Sequence, residues 1–323
     1  MSSTRYAITV DLGGTNLRVG AVREDGVVEE KERYDSDSKS SSTDLLGRVA
    51  DGIRKMAEKI EARSGTVIGV GLGFPGIVDP KKGIVYQSPH FPDWKDLDLS
   101  SYFKKELRWP VVIDNDANMA ARGEAWKGAG SGIKNFIMLT FGTGIGGALV
   151  INGEVFHGDR GFAGEMGHIC IEAQGHRCAC GSRGCLEMYV STQGILKLME
   201  TADDPIDRDR FLEKIGRTLE RITPQILHEA ALDGEIFANV TFKRMGYYLG
   251  IGLASLVNTT GIETFILGGG ISQAWDFFIG AAKKELAERT YRETAKSVVI
   301  TKALLGDDAG LVGGAAPFFL LRN

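Results

Sequence analysis

The chain has 323 residues, 43% of them hydrophobic and 25% charged, with a formal net charge of −4 at pH 7. This balance fits one large or two ordinary globular domains, and it excludes a basic footprint for nucleic acid or for an acidic membrane surface. Two features stand out: only four cysteines, three of them within "GHRCACGSRGCLE" at 175–187, and 43 glycines, about 13% of the chain against an average of about 7%.

The first strand, "YAITV", begins after a polar Met1 to Arg5, so neither a secretory segment nor a disulfide framework is expected. No run approaches the roughly 18 apolar residues of a membrane span, and a cytoplasmic location follows as the expectation. That strand runs through the glycine turn "DLGGTN" into "LRVGAVRE" and, past Asp25-Gly26, into "GVVEEKERY". "DSDSKSSST" reads as a polar loop, with Thr43 capping a helix from about Asp44 to Ala62 whose apolar face is Leu45, Leu46, Val49, Ile53, Met56 and Ile60. "TVIGVGLGF" is a buried strand ended by Pro75-Gly76. A loop with Pro80, Pro89 and Pro92 leads to a helix near Leu99 to Leu107, the buried strand "VVIDN", and a helix from about Ala117 to Trp126.

Strand, glycine turn and strand then recur as "NFIMLT", "FGTGIGG" and "ALVING", which points to duplication of one α/β unit. A largely helical region spans Thr192 to Val257, broken at Pro205 and Pro224, and the mixed charges of "RDRFLEKIGRTLERI" read as a solvated face. "TFILGGGIS" and "SVVITKALL" are further strands, and "DDAGLVGGAAPFFLLRN" reads as a closing helix.

Three glycine clusters follow strands, at 11–16, 140–147 and 267–270. A hairpin turn also asks for glycine, so any one of them is ambiguous. Together they fit phosphate loops: glycine lets backbone N–H groups approach oxygens, Thr adds a hydroxyl donor, and Asp11 is suited to a magnesium ion or its waters. Neither a Walker A sequence nor a dinucleotide fingerprint is present. "VVIDNDANMAARGEAW" places Asp114, Asn115 and Asp116 where a strand meets a helix, a position for capping or for a carboxylate that accepts a proton from a hydroxyl. Cys178, Cys180 and Cys185, with His168 ten residues upstream, offer the Cys3His donor set of a closed zinc site, against the alternatives of a redox pair or unrelated thiols. Cys170, in the apolar run "HICIE", reads as a buried small hydrophobe. Such a zinc would pin the loop of Glu187 to the loop of Glu165.

"DLGGTN", "LGFPGIVD", "DNDAN", "FGTGIGG", "AGEMGH", "CACGSRGCLE" and "LGGGIS" occur in the order seen in the ROK family, repressors and sugar kinases, which this chain resembles over nearly its whole length. The resemblance implies two ribonuclease H-like domains of the actin-like ATPase superfamily closing over an interdomain cleft. The expected division is 1–117 with 302–323, and 118–301. It implies Asp11, Gly13, Gly14, Thr15 and Asn16 as the first phosphate loop, Gly142, Thr143 and Gly144 as the second, and Gly268, Gly269 and Gly270 near the adenosine. Asp116 is the implied base, and Gly76, Asn115, Asp116, Glu165, His168 and Glu187 match sugar-contacting positions. His168, Cys178, Cys180 and Cys185 match the structural zinc site. His90, where many members carry Asn, leaves the preferred sugar open. ATP, Mg2+, a structural Zn2+ and a homodimer are the implied cofactors and assembly. The implied reaction is phosphorylation of a hexose at its 6-hydroxyl, glucose first, with N-acetylhexosamine or fructose as alternatives. Repressors of the family carry an extra N-terminal winged helix, whereas here a strand begins at residue 5, so DNA binding is not expected. A sugar-sensing protein is the non-enzyme alternative.

Overall fold

The first three strands of the computed structural model are the largely buried β1 (Arg5–Leu12) and β2 (Asn16–Arg23) and the charged, mostly exposed β3 (Val28–Asp35). The structure describes residues 3–14, 16–36, 41–89, 91–202 and 204–320. Helix α1 (Ser42–Glu61) buries the six apolar residues expected of it, but its cap is Ser41, whose side chain accepts from the Asp44 N–H, and Thr43 lies inside the first turn. Strand β4 (Thr66–Phe74) is almost wholly buried. The stretch read as a proline-containing loop instead forms a three-stranded antiparallel sheet of β5 (Ile77–Asp79), β6 (Ile84–Gln87) and β7 (Lys95–Asp98). Strands of three or four residues show too little alternation to be seen in sequence, and the prolines fall outside them. Helix α2 (Leu99–Glu106), strand β8 (Val111–Asn115) and helix α3 (Asp116–Lys127) follow.

The second series is β9 (Phe136–Phe141), β10 (Ile145–Ile151) and the two-residue β11 (Glu154–Val155). Helices α4 (Glu187–Val190), α5 (Thr192–Glu200), α6 (Pro205–Lys214), α7 (Pro224–Leu232) and α8 (Ile236–Thr260) lead to β12 (Thr264–Gly268), then α9 (Trp275–Arg289), α10 (Arg292–Ser297), β13 (Val299–Lys302) and α11 (Ala309–Phe319). Pro205 and Pro224 each open a helix, where the missing N–H costs nothing. The charged stretch read as one helical face breaks at Gly216, whose φ of 61° ends α6.

Both five-stranded sheets have the same order: β3-β2-β1-β4-β8 and β11-β10-β9-β12-β13. In each the first, fourth and fifth strands run parallel, β1 with β4 and β8, and β9 with β12 and β13. The expected duplication is therefore present in topology.

The chain divides into two compact units, Met1–Asn135 with Ala148–Gly164 and Ala303–Asn323, and Phe136–Gly147 with Glu165–Lys302. The changeover comes after Asn135 rather than after residue 117, because α3 lies along α11 in the first unit. Glycines make that approach: a Cβ on Gly123 would strike the Ala309 carbonyl, and one on Gly313 the Met119 carbonyl. The buried Glu124 of α3 also accepts from the N–H groups of Leu304 at 3.1 Å and Leu305 at 2.8 Å, holding the C-terminal segment to this unit. The main core of the first unit lies between the sheet and α1, and Leu311 and Ala315 of α11 cover Ala7 and Val22 on the other face. In the second unit Gly246 and Gly250 let α8 approach α9 at Phe278 and Ala282. No helix among the described residues is long and apolar enough to cross a membrane.

Candidate active site

In the first unit, β1 delivers Asp11 to the end of the sheet, opposite Arg18 in the β1–β2 register. The Arg18 guanidinium lies 3.7 Å from the Asp11 carboxylate and also donates to the Asp307 carbonyl. Burial pushes the Asp11 carboxyl above its usual range, Arg18 draws it back, and Asp307 adds to the rise. The turn after it is closed by the Gly13 N–H donating to the Asn16 carbonyl at 2.8 Å, and Ser36 donates to the Gly14 carbonyl at 2.9 Å. The Asn16 side chain accepts from Arg33 at 2.8 Å. Gly310, in the first turn of α11, leaves only 2.9 Å between its would-be Cβ and the Asp11 carboxyl carbon. Asp11, Gly13, Gly14 and Asn16 are thus one constrained turn. Thr15, expected in the same loop, and His90 lie outside the described residues.

At the β8–α3 junction Asn115 is the helix cap, its Oδ1 accepting from Ala117 N–H at 2.9 Å and Asn118 N–H at 3.1 Å. Its amide donates to the Gly76 carbonyl at 3.0 Å. Gly76 has φ of 105° and no room for a Cβ beside Ser88, so only glycine fits this turn. Asp116 is the first helical residue, half-buried, and its Oδ1 accepts the Ala117 N–H at 2.9 Å. The capping role read for this trio belongs to Asn115, which leaves Asp116 as the first helical residue.

In the second unit the β9–β10 turn carries Gly142, Thr143 and Gly144, closed by the Gly142 N–H donating to the Gly144 carbonyl at 3.0 Å. Thr192 donates its N–H and its hydroxyl to the Gly142 carbonyl, both at 3.0 Å. Gly268 ends β12, and Gly269, with φ of 84°, sits against Phe141 where a Cβ would strike its carbonyl. Gly269 and Gly270 are exposed.

His168 closes a short 3-10 turn that follows Glu165. Its Nδ1 lies 3.6 Å from Cys178 Sγ, and its Nε2 lies 3.9 Å from Glu165. Cys180 and Cys185 sulfurs are 3.7 Å apart, and the four donor atoms of His168, Cys178, Cys180 and Cys185 all lie within 4.8 Å of one another. A tetrahedron of Zn–S bonds of about 2.3 Å places its sulfurs about 3.8 Å apart, so this donor set fits zinc in chemistry and in spacing. Burial pushes the Cys178 and Cys185 thiols up, Cys185 to about 12, whereas at Cys180 burial is outweighed by the Ser182 backbone and the neighbouring thiols and the value falls. Glu187 reaches from this loop to the start of β10, its Oε2 accepting the Ile145 N–H at 2.8 Å and its Oε1 lying 4.0 Å from Cys178 Sγ. Cys170 is exposed rather than buried: "HICIE" forms no strand but a single isolated antiparallel bridge from Cys170 to the buried Cys185.

The model of the ROK family matches residues 7–319. The chain belongs to the ROK family. It is 33% identical over 314 residues to the glucokinase of Halalkalibacterium halodurans, spanning 97% of this chain and 94% of that one. It is similar to the structure of a ROK family glucokinase from Streptomyces griseus in complex with glucose and AMPPNP, with a TM-score of 0.82, 30% identity, and 97% of this chain and 98% of that one covered. It is also similar to a ROK family transcriptional regulator, a homolog of the E. coli MLC protein, with a TM-score of 0.85, 26% identity, and 96% of this chain and 76% of that one covered. The fold of this ROK chain is that of the family's sugar kinases, the two-domain actin-like ATPase fold.

Sequence reading missed two features of this ROK site. One is Arg18, which sits beside Asp11 because two strands are in register; the strand–turn–strand pattern contained that signal. The other is His157, which bonds Asp114 across 43 residues and has no local signal at all.

Proposed function

We propose that this chain is a sugar kinase that transfers the terminal phosphoryl group of ATP to the 6-hydroxyl of a hexose, with glucose the preferred acceptor. The observation that carries the reading is the β8–α3 junction, where Asp116 stands at a helix start whose cap is tied to Gly76. The 33% identity to a glucokinase supports the acceptor class.

Asp116 orients the hydroxyl and takes its proton late, because a loose phosphoryl-transfer transition state asks little of the base. The turns at 13–16 and 142–144 offer backbone N–H groups to the phosphates, and Gly268, Gly269 and Gly270 accommodate the adenosine. Asp11 would hold the Mg2+ ion or its waters. The ion would supply charge neutralisation on the phosphates, and the half-buried Asp11 carboxylate is a suitable oxygen ligand for it. His168, Cys178, Cys180 and Cys185 would hold a structural zinc that fixes the loop of Glu187 relative to Glu165. His168 Nδ1 is then the metal donor, which leaves Nε2, with Glu165 and Glu187, to face the sugar hydroxyls. The reading includes a homodimer.

Turnover over KM for glucose, mannose, fructose, N-acetylglucosamine and N-acetylmannosamine under saturating ATP tests the acceptor. Glucose is expected first, because a site that hydrogen-bonds the 2-hydroxyl loses paired groups when that hydroxyl is missing or moved. Fructose or an N-acetylated sugar ranking first would overturn the glucose assignment, and preference for polyphosphate would overturn ATP as donor. The similarity to a transcriptional regulator favours sugar sensing as the second reading; sugar binding with no phosphate transfer would select it.

A further inference from the structure

The penultimate residue of β8, Asp114, is a carboxylate that no step above uses. Asp114 is 1% exposed, yet its two oxygens are crowded with donors. Oδ1 accepts from the Asn115 N–H at 2.8 Å and from Asn118 Nδ2 at 2.9 Å, and Oδ2 accepts from the Arg122 guanidinium and from His157 Nε2 at 2.9 Å. Because a carboxylate only accepts, His157 carries its proton on Nε2 in this bond. Three of the donors belong to the β8–α3 segment and fix the start of that helix. The fourth, His157, comes from outside that segment, whose helix is capped by Asn115 and whose Arg122 already pairs with Asp114.

What His157 does hold is its own segment. Between the end of β11 at Val155 and the 3-10 turn that starts at Met166 the chain has no regular structure. It is fastened at few points. His157 ties it to β8, Ala163 N–H donates to the His157 carbonyl at 3.3 Å, and Gly161 sits against the Val78 carbonyl with no room for a Cβ. Phe162 meets Tyr86 edge-on at 5.6 Å. Val78 and Tyr86 belong to β5 and β6, the hairpin that begins beside Gly76. The segment therefore bridges the same two elements that the Asn115–Gly76 bond joins, and in sequence it leads directly to Glu165.

We propose that His157 is a positioning residue for sugar binding: through Asp114 it locks the 156–164 segment against the end of β8 and the β5–β6 hairpin, and so fixes the wall beside Asn115, Asp116 and Gly76. The inference rests on the sugar-kinase reading. Its test is the full chain carrying His157→Ala or His157→Gln, with KM for glucose, KM for ATP, turnover and melting temperature measured together. His157 is 23% exposed at its side chain, so both variants are expected to fold. His157→Ala should raise the glucose KM by about 10-fold or more, the scale of a lost hydrogen bond to a charged group, and leave the ATP KM within about 2-fold. His157→Gln, which keeps an N–H donor, should recover most of the loss. A His157→Ala chain that unfolds, or that melts lower with its glucose KM unchanged, would assign His157 to stability alone and overturn the proposal; so would a glutamine variant no better than alanine. A wild-type chain that phosphorylates no sugar is a different failure, that of the sugar-kinase reading, and the inference falls with it.

Discussion

Asp116 and Asp114 sit two residues apart and differ in nearly everything that decides their chemistry. Asp116 is half-buried at a helix start, and its replacement by Asn keeps shape and most hydrogen bonding while removing the ability to take a proton. Asp116→Asn is expected to lower turnover by ~100-fold or more while weakening sugar binding far less, as steady-state kinetics and calorimetry would show. Near-normal turnover would reduce Asp116 to a helix residue. Asp114 is a structural anion. Burial raises its pKa, but the His157 bond and the Arg122 charge more than offset this and hold it at about 2. An Asp near 3.9 in the unfolded chain and lower in the folded one stabilises the fold above pH ~4, and the contribution, about 2 kcal/mol, is lost as pH falls from ~4 to ~2. Denaturant unfolding across that range should show the loss. Asp114→Asn should be weaker already at pH 7, by roughly 3 kcal/mol because Arg122 is left unpaired, and should lose less on acidification. A variant with the wild-type acid slope would contradict this. The DND triplet was legible as a site because three polar residues stand together. Their division into a buried anion, a helix cap and a first helical residue was not, since it depends on His157 and Gly76, which no local pattern connects to them.

At the scale of elements, the cysteine loop is short and glycine-rich, with Cys178 and Cys185 buried and Cys180 exposed. If a metal organises it, metal analysis of the purified protein should give about one zinc per chain, and Cys185→Ser should lose zinc and activity together. Full activity in a metal-free protein would remove the zinc. The donor spacing was legible because three cysteines fall within eight residues; the exposure of Cys170 was not, because its apolar neighbours Ile169 and Ile171 read as a strand. The long strand β4 matched its sequence bounds, since burial on both faces leaves a continuous apolar run, ended here by Pro75. The β5–β7 sheet was missed because its strands are too short to carry a period.

For the whole molecule, the repeat of strand, glycine turn and strand proved to be two sheets with one strand order, each placing a glycine turn after its first strand. The repeat was readable from punctuation alone. The grouping of α3 and α11 in one unit was not, because it rests on Gly123 and Gly313 meeting across nearly two hundred residues of chain. Two such turns with a carboxylate between them in sequence fit the proposed phosphoryl transfer to a hexose. The most direct measurement is phosphorus NMR of the purified protein with ATP, Mg2+ and glucose, read alongside an Asp116→Asn control. The account predicts ADP and glucose 6-phosphate appearing in equal amounts with wild type and almost none with the variant; ATP cleaved to free phosphate, or no ATP consumed, would contradict it.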